Sequence, residues 1–240
     1  MNHRFFVNHP IKDKQVELDG SEAHHLLHVM RAEIGQQVVL LDGSGFEYQA
    51  LVTQRARGTA QLEIIGRVER DRELSLTLVV GVALPKGDRQ RWLVEKLVEM
   101  GVTRFQPLTT ERTVSQPSSR SLVRLRRTVV EASKQCGRTI MMEICEAESL
   151  QNFLDGAPEH ALRIIAHPHE SPTSTTLKQR LLQQADKQPV FVAIGPEGGF
   201  TDLEWQKACH AGWQTIDLGP RILRVETAAL ALVAGITFSL

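Results

Sequence analysis

Along the first third of the chain, apolar and polar positions alternate with the period of a strand, and after that the period changes. The apolar run Gln37-Val38-Val39-Leu40-Leu41 meets Asp42-Gly43-Ser44-Gly45, after which Phe46, Tyr48, Ala50 and Val52 alternate with polar residues. A strand, a glycine-rich turn and a half-buried strand in succession predict a β-hairpin. Gln61 to Val68 predicts a further short strand, Arg4 falls in an N-terminal strand, and Ser21 to Arg31 predicts a helical insert capped by Ser21. A small β-barrel with one helix accounts for residues 1–72.

The charged run Arg67-Val68-Glu69-Arg70-Asp71-Arg72-Glu73 breaks this pattern and marks the domain boundary. Beyond it a continuous apolar strand, Leu74 to Leu84, is followed by a helical stripe of Trp92, Leu93, Leu97 and Met100 that stops at Gly101, and then by the strand Val102 to Leu108. Arg120 to Cys136 predicts a second helix. Arg163 to Ala166, Pro189 to Ile194 and Thr215 to Leu218 are each short and apolar enough for a buried parallel strand. Strands alternating with helices make residues 73–240 an α/β domain with a mostly parallel sheet. No internal repeat or low-complexity tract interrupts either part.

Composition adds little until it is mapped. The 240 residues are 42% apolar and 23% charged, with formal net charge zero, which is ordinary for a globular protein. Cys136, Cys145 and Cys209 form neither a disulfide framework nor a paired metal site, and together with an N-terminus that lacks the apolar core of a secretory signal they lead us to expect a cytoplasmic protein. The charges, however, are not evenly spread. Residues 85–140 carry twelve basic and five acidic side chains, an excess of seven positive charges, whereas 141–217 is acidic. Such an asymmetry is the footprint of a polyanion-binding face, although a solvated arginine-rich helix gives the same count.

Each of the last three predicted strands runs into a loop rich in glycine or proline. These are His167-Pro168-His169, Gly195-Pro196-Glu197-Gly198-Gly199-Phe200, and Gly219-Pro220-Arg221-Ile222-Leu223-Arg224. Ligands bind at the carboxyl ends of strands in open α/β sheets, and glycine lets backbone approach a ligand closely. Taken singly, each loop is also what a strand-to-helix turn requires. Thr201-Asp202-Leu203-Glu204 is a capping box, so a helix begins directly beyond the second loop. Neither Gly-x-Gly-x-x-Gly nor Gly-Lys-Ser/Thr occurs, which favours a nucleoside cofactor without phosphates. His24, His25 and His28 are spaced so that only two share a helical face, and with no carboxylate or cysteine near in sequence they favour a surface or RNA-contact role over a metal site.

Gly195-Pro196-Glu197-Gly198-Gly199 followed by Leu218-Gly219-Pro220-Arg221-Ile222-Leu223-Arg224-Val225-Glu226-Thr227-Ala228 resembles the SPOUT class of methyltransferases, and within it the RsmE-type 16S ribosomal RNA uridine-N3-methyltransferases. Glu95 to Val102, Glu131 to Arg138 and His167-Pro168 fit the same pattern, so the resemblance spans nearly the whole chain. It implies a PUA-like RNA-binding barrel, a C-terminal domain with a deep trefoil knot, S-adenosylmethionine as cofactor, 16S rRNA within the small ribosomal subunit as partner, and a homodimer. The C-terminal stretch Ala228 to Leu240 is apolar enough to supply part of a dimer interface or to form a plain buried helix.

Under that reading His167, Pro168, Ile194, Gly195, Gly199, Leu218, Gly219, Leu223 and Arg224 surround the cofactor, and no metal is expected. Methyl transfer to uridine N3 needs a fixed cation to stabilise the deprotonated ring, a task suited to arginine. Arg224 and Arg221 are the first candidates and Arg138 the next, each also able to bind phosphate or pair with Glu197 or Glu226. Glu226 is a weaker candidate for proton acceptor. Arg4, Arg112, Arg124, Arg127 and Arg138 are the expected RNA contacts. Two rival readings stand beside this one: a catalytically inactive RNA-binding protein of the same fold, and another nucleotide-dependent α/β enzyme such as a phosphotransferase.

Overall fold

The computed structural model describes residues 3–114, 117–168 and 188–239. The chain divides into two compact units, Met1–Glu73 with Ser133–Met141, and Leu74–Ala132 with Met142–Leu240.

The first unit is built from β1 (Arg4–Phe6), β2 (Gln15–Leu18), α1 (Gly20–His24), β3 (Gln37–Leu41), β4 (Phe46–Arg55) and β5 (Ala60–Glu69). The strands lie in the order β1-β3-β4-β5-β2, antiparallel except for the β1–β3 pair. The expected hairpin is β3–β4, with Leu40 opposite Tyr48, and its turn carries Gly43 and Gly45 at φ +84° and +92°, a region that favours glycine. Register shifts at Gln49/Ala50 and Val52/Gln54 bend the long β4–β5 ribbon. The sheet thereby curls around one core that includes Phe5, Leu18, Leu26, Leu40, Tyr48, Val52 and Leu62.

The helical insert departs from the sequence reading at both ends. Its N-cap is the extended Asp19, so Ser21 falls inside the first turn and caps nothing. After His24 the chain widens into a π-turn over His25–Val29, and Arg31, at φ +54°, has left the helix. The rings of His24 and His28 lie 5.0 Å apart, while His25 tilts against Phe5.

Glu47 is the charge centre of this unit, within 3.2 Å of Arg4, 3.4 Å of Arg70 and 3.3 Å of Arg72. Burial pushes its carboxyl up, but the arginine hydrogen bonds and charges outweigh burial and hold it below its ordinary value of 4.5. A group depressed in the folded state stabilises the protein above the unfolded value, and that stability disappears as pH falls through the folded value. Thermal melting of the first unit is therefore expected to fall steeply on acidification below the carboxylate range. Glu47→Gln should cost about 1–3 kcal/mol at neutral pH and flatten that slope. An unchanged pH profile in the variant would contradict this role.

The second unit is an α/β layer structure. Its strands are β6 (Leu78–Val82), β7 (Arg104–Thr109), β8 (Glu143–Ile144), β9 (Glu148–Ser149), β10 (Leu162–Ala166), β11 (Val190–Ile194) and β12 (Gln214–Ile216). Its helices are α2 (Arg89–Glu99), α3 (Ser119–Cys136), whose last turn belongs to the first unit, α4 (Leu150–Gly156), α5 (Asp202–His210) and α6 (Val225–Thr237). The strands are all parallel, in the order β12-β10-β11-β6-β7-β8, with β9 also on β7.

Strands β6 and β11 are buried at every position, as central parallel strands covered on both faces must be. Phe153, Phe191 and Trp213 pack together among the core residues of this unit, and α6 packs on β6 and β11 and against α2. Helix α2 ends at Gly101, φ +83°, and α5 opens on the complete Thr201/Glu204 capping box. The apolar run 74–84 is longer than the strand it contains, because pairing is confined to the stretch in register with β7 and β11. Among the described residues no helix is long and apolar enough to cross a membrane.

Candidate functional site

Neighbouring strands β12, β10 and β11 end on one edge of the sheet, so the turns that follow them converge. They enclose a cavity of about 460 Å³ whose walls are Ala166–Pro168 after β10, Ile194–Gly199 after β11, and Asp217–Leu223 after β12, closed by Val225 and Ala228 of α6. A volume in the range of small-molecule sites, roughly 300–1,000 Å³, lined mainly by apolar side chains and backbone, suits a nucleoside better than a polyphosphate.

The glycines of these walls do different work. Gly219, at φ +101°, and Gly199, at φ +69°, hold conformations that other residues resist. Asp217 fixes the first of these by accepting a 2.8 Å hydrogen bond from the Gly219 N–H. Gly195 is small for another reason: a Cβ there would sit 3.2 Å from the ring and the backbone nitrogen of Phe200, which is part of the core. His167 stacks on Trp205 at 5.3 Å and 17°, and the indole donates to Thr215 Oγ1 at 2.9 Å. This fixes the wall contributed by β10 against α5 and β12.

Of the residues expected around a cofactor, His167, Pro168, Ile194, Gly195, Gly199, Leu218, Gly219 and Leu223 all line this one cavity. His169 lies outside the described residues. Arg221 also lines the cavity and is exposed, as is the bare Ile222 beside it. Arg224 is exposed as well but is the N-cap of α6 and does not form part of the wall. Glu226, in the first turn of α6, is buried, and its Oε2 lies 3.5 Å from Arg89.

Sequence reasoning gave no role to Arg89, whose other nitrogen donates to Glu197 Oε1 at 3.1 Å. Nor did it foresee that Arg112 would donate to the Gly198 carbonyl at 2.7 Å, or that Glu111 and Glu204 would link the loop after β7 to the start of α5. The only signal for Arg89 was its place just beyond the end of an apolar strand.

Apart from Arg112, which donates to the Gly198 carbonyl, the expected RNA contacts separate into two groups. Arg124 and Arg127 are exposed on α3. Arg138 is 3% exposed, with its guanidinium gripping Glu73, and Arg4 is turned to Glu47 and the Lys134 carbonyl. Neither of these is presented to a phosphate, because each neutralises a carboxylate of its own unit. Lys134 with Glu22 and Arg126 with Glu146 consume more of the positive excess in the same way. Cys145, raised by burial and then by the Glu143 charge, holds its proton and offers no nucleophile.

Residues 72–237 match the family model of the RNA methyltransferase domain, and residues 18–65 that of the RNA methyltransferase PUA domain. The chain is 34% identical to the ribosomal RNA small subunit methyltransferase E of Synechocystis sp. over 94% of this chain and 74% of that protein. Its identity to the protein of the same name from Bacillus subtilis is 26% over 98% and 96%. A crystal structure of the ribosomal RNA small subunit methyltransferase E from Neisseria gonorrhoeae, bound to S-adenosyl methionine, superposes with a TM-score of 0.88 at 29% identity, covering 99% of this chain and 98% of that one.

Proposed function

The chain belongs to the RNA methyltransferase family, and from that premise we infer that it is an S-adenosylmethionine-dependent methyltransferase of small-subunit ribosomal RNA. The observation that carries this reading is the convergence of three separate turns on one apolar, backbone-lined cavity. The residues present fit the cofactor: Gly199 and Gly219 keep the walls free of side chains, Leu218 and Leu223 offer apolar contact, and Asp217 and Glu197 supply carboxylates at the rim. Bound there, the cofactor supplies an electrophilic methyl group.

The accepting atom is N3 of a uridine in the decoding region of 16S rRNA. N3 must pass its proton to solvent at the open cavity mouth before it attacks, and the ring anion then needs a nearby cation until the methyl is received. Arg221, which lines the cavity, is the first candidate for that task, and Arg224, the N-cap of α6, is the second. Glu226 is committed to Arg89, which weighs against its service as proton acceptor. The wider proposal is a cytoplasmic homodimer that acts on RNA within the small subunit, with a C-terminal domain threaded as a trefoil knot.

The RNA is held from the first unit and from the exposed arginines of α3. Replacing Arg124 and Arg127 together by alanine is expected to weaken RNA binding about equally for any sequence and to lower the slope of log affinity against log salt by about 2. Cofactor affinity should not change. An unaltered salt slope removes these residues from the interface.

The reading as a whole is tested by incubating the protein and isotopically labelled cofactor with ribosomal subunits from cells lacking the modification. Mass spectrometry should find one labelled N3-methyluridine in 16S rRNA. Label on another base or on a ribose refutes the assignment of the accepting atom, and no label at all favours a binding-only protein.

A further inference from the structure

We propose that Arg89 is a positioning residue that locks two walls of the cofactor cavity together through Glu197 and Glu226, a role that rests on the cofactor reading given above. Arg89 opens α2 and belongs to neither wall. One of its terminal nitrogens reaches Glu197 at 3.1 Å, in the turn after β11, and the other reaches Glu226 at 3.5 Å, directly after the segment Asp217–Val225 that follows β12. A planar guanidinium can address two carboxylates at once with fixed geometry, which a lysine ammonium does not reproduce.

The two carboxylates differ in what they require. The Glu226 side chain is 8% exposed, and a charge so far removed from water must be compensated. The N-terminus of α6 supplies part of that compensation and Arg89 the rest. Glu197 is 45% exposed and its neighbours Gly198 and Gly199 have no side chains with which to pack. Its turn is held within itself by the Gly199 N–H donating to the Pro196 carbonyl at 2.8 Å, and from outside by Arg89 on the Glu197 carboxylate and Arg112 on the Gly198 carbonyl. Arg89 thus couples the buried carboxylate of α6 to the exposed carboxylate of the cavity rim. Its loss leaves the two walls free to shift independently, and small misplacements around a reacting group are costly.

The test compares the wild-type chain with Arg89→Ala, Arg89→Lys, Glu226→Gln and the Arg89→Ala/Glu226→Gln pair, by calorimetry with S-adenosylmethionine and by thermal melting without it. Arg89→Ala should weaken cofactor binding about tenfold or more and lower the melting temperature, with RNA affinity unchanged. Arg89→Lys should restore much of the melting temperature, since it returns a cation to Glu226, but little of the cofactor affinity. In the double variant the uncompensated carboxylate is gone, so melting should recover while cofactor binding stays weak, because Glu197 remains untethered. A merely structural residue would recover both together, and that result overturns the proposal, as does Arg89→Ala binding the cofactor as tightly as the wild type. A wild-type chain that binds no cofactor refutes the cofactor reading and this role with it.

Discussion

Replacing Arg221 by alanine is expected to slow methyl transfer roughly 10²–10³-fold while leaving S-adenosylmethionine affinity within about twofold. Arg221 lines the cavity and is exposed, so truncating it leaves a well-folded wall without its cation. A group needed only when charge develops on the accepting ring affects turnover and not donor binding. Arg224→Ala should slow transfer too, and less, because Arg224 caps α6 beside the wall instead of forming part of it. Single-turnover assays with saturating donor measure both. Undiminished transfer by Arg221→Ala would remove it from the mechanism, and a larger loss for Arg224→Ala would exchange the two roles.

The second large effect is expected at Gly219. Its φ of +101° is one that a β-branched residue cannot adopt without strain, although nothing lies within 4 Å of where a Cβ would project. Gly219→Val should therefore not crowd the core. It should refold the turn, break the hydrogen bond from the Gly219 N–H to Asp217, and displace Leu218 and Leu223 from the cavity wall. Donor affinity should fall by about 100-fold, a loss of roughly 2.7 kcal/mol, with the far-ultraviolet circular dichroism of the sheet and helices unchanged. Retained affinity would mean that this turn does not touch the cofactor.

What was legible in the sequence was whatever local chemistry dictates. Asp42-Gly43-Ser44-Gly45 announced the hairpin because its glycines take positive φ, and Thr201/Glu204 announced α5 because both halves of the capping box form. Gly101 marked the end of α2 for the same kind of reason. The cavity was legible too, since strands that end in glycine and proline must deliver their turns to one edge of a parallel sheet.

Long-range pairing was not legible. The positive excess between residues 85 and 140 suggested an open basic face, yet Arg138 turns to Glu73, Lys134 to Glu22 and Arg126 to Glu146, partners that sequence distance conceals. Exposed positive charge remains on α3 at Arg120, Arg124 and Arg127, and outside it at Lys86 and Arg91. Arg89 was hidden by the same gap, since Glu197 and Glu226 lie more than a hundred residues away. The two-residue strands β8 and β9 carry too little pattern to be read, and their existence depends on β7 already being in place. The misplaced cap at Ser21 shows a smaller ambiguity, because Asp19 is an equally good capping residue two positions earlier.

The most direct measurement is an intermolecular nuclear Overhauser experiment on the full chain with S-adenosylmethionine. The account predicts contacts from the adenosyl protons to the methyl groups of Ile194, Leu218 and Leu223 at once, three residues drawn from two turns and gathered by the sheet around one cavity. Contacts confined to residues outside this cavity, or an absence of binding at millimolar cofactor, would contradict it.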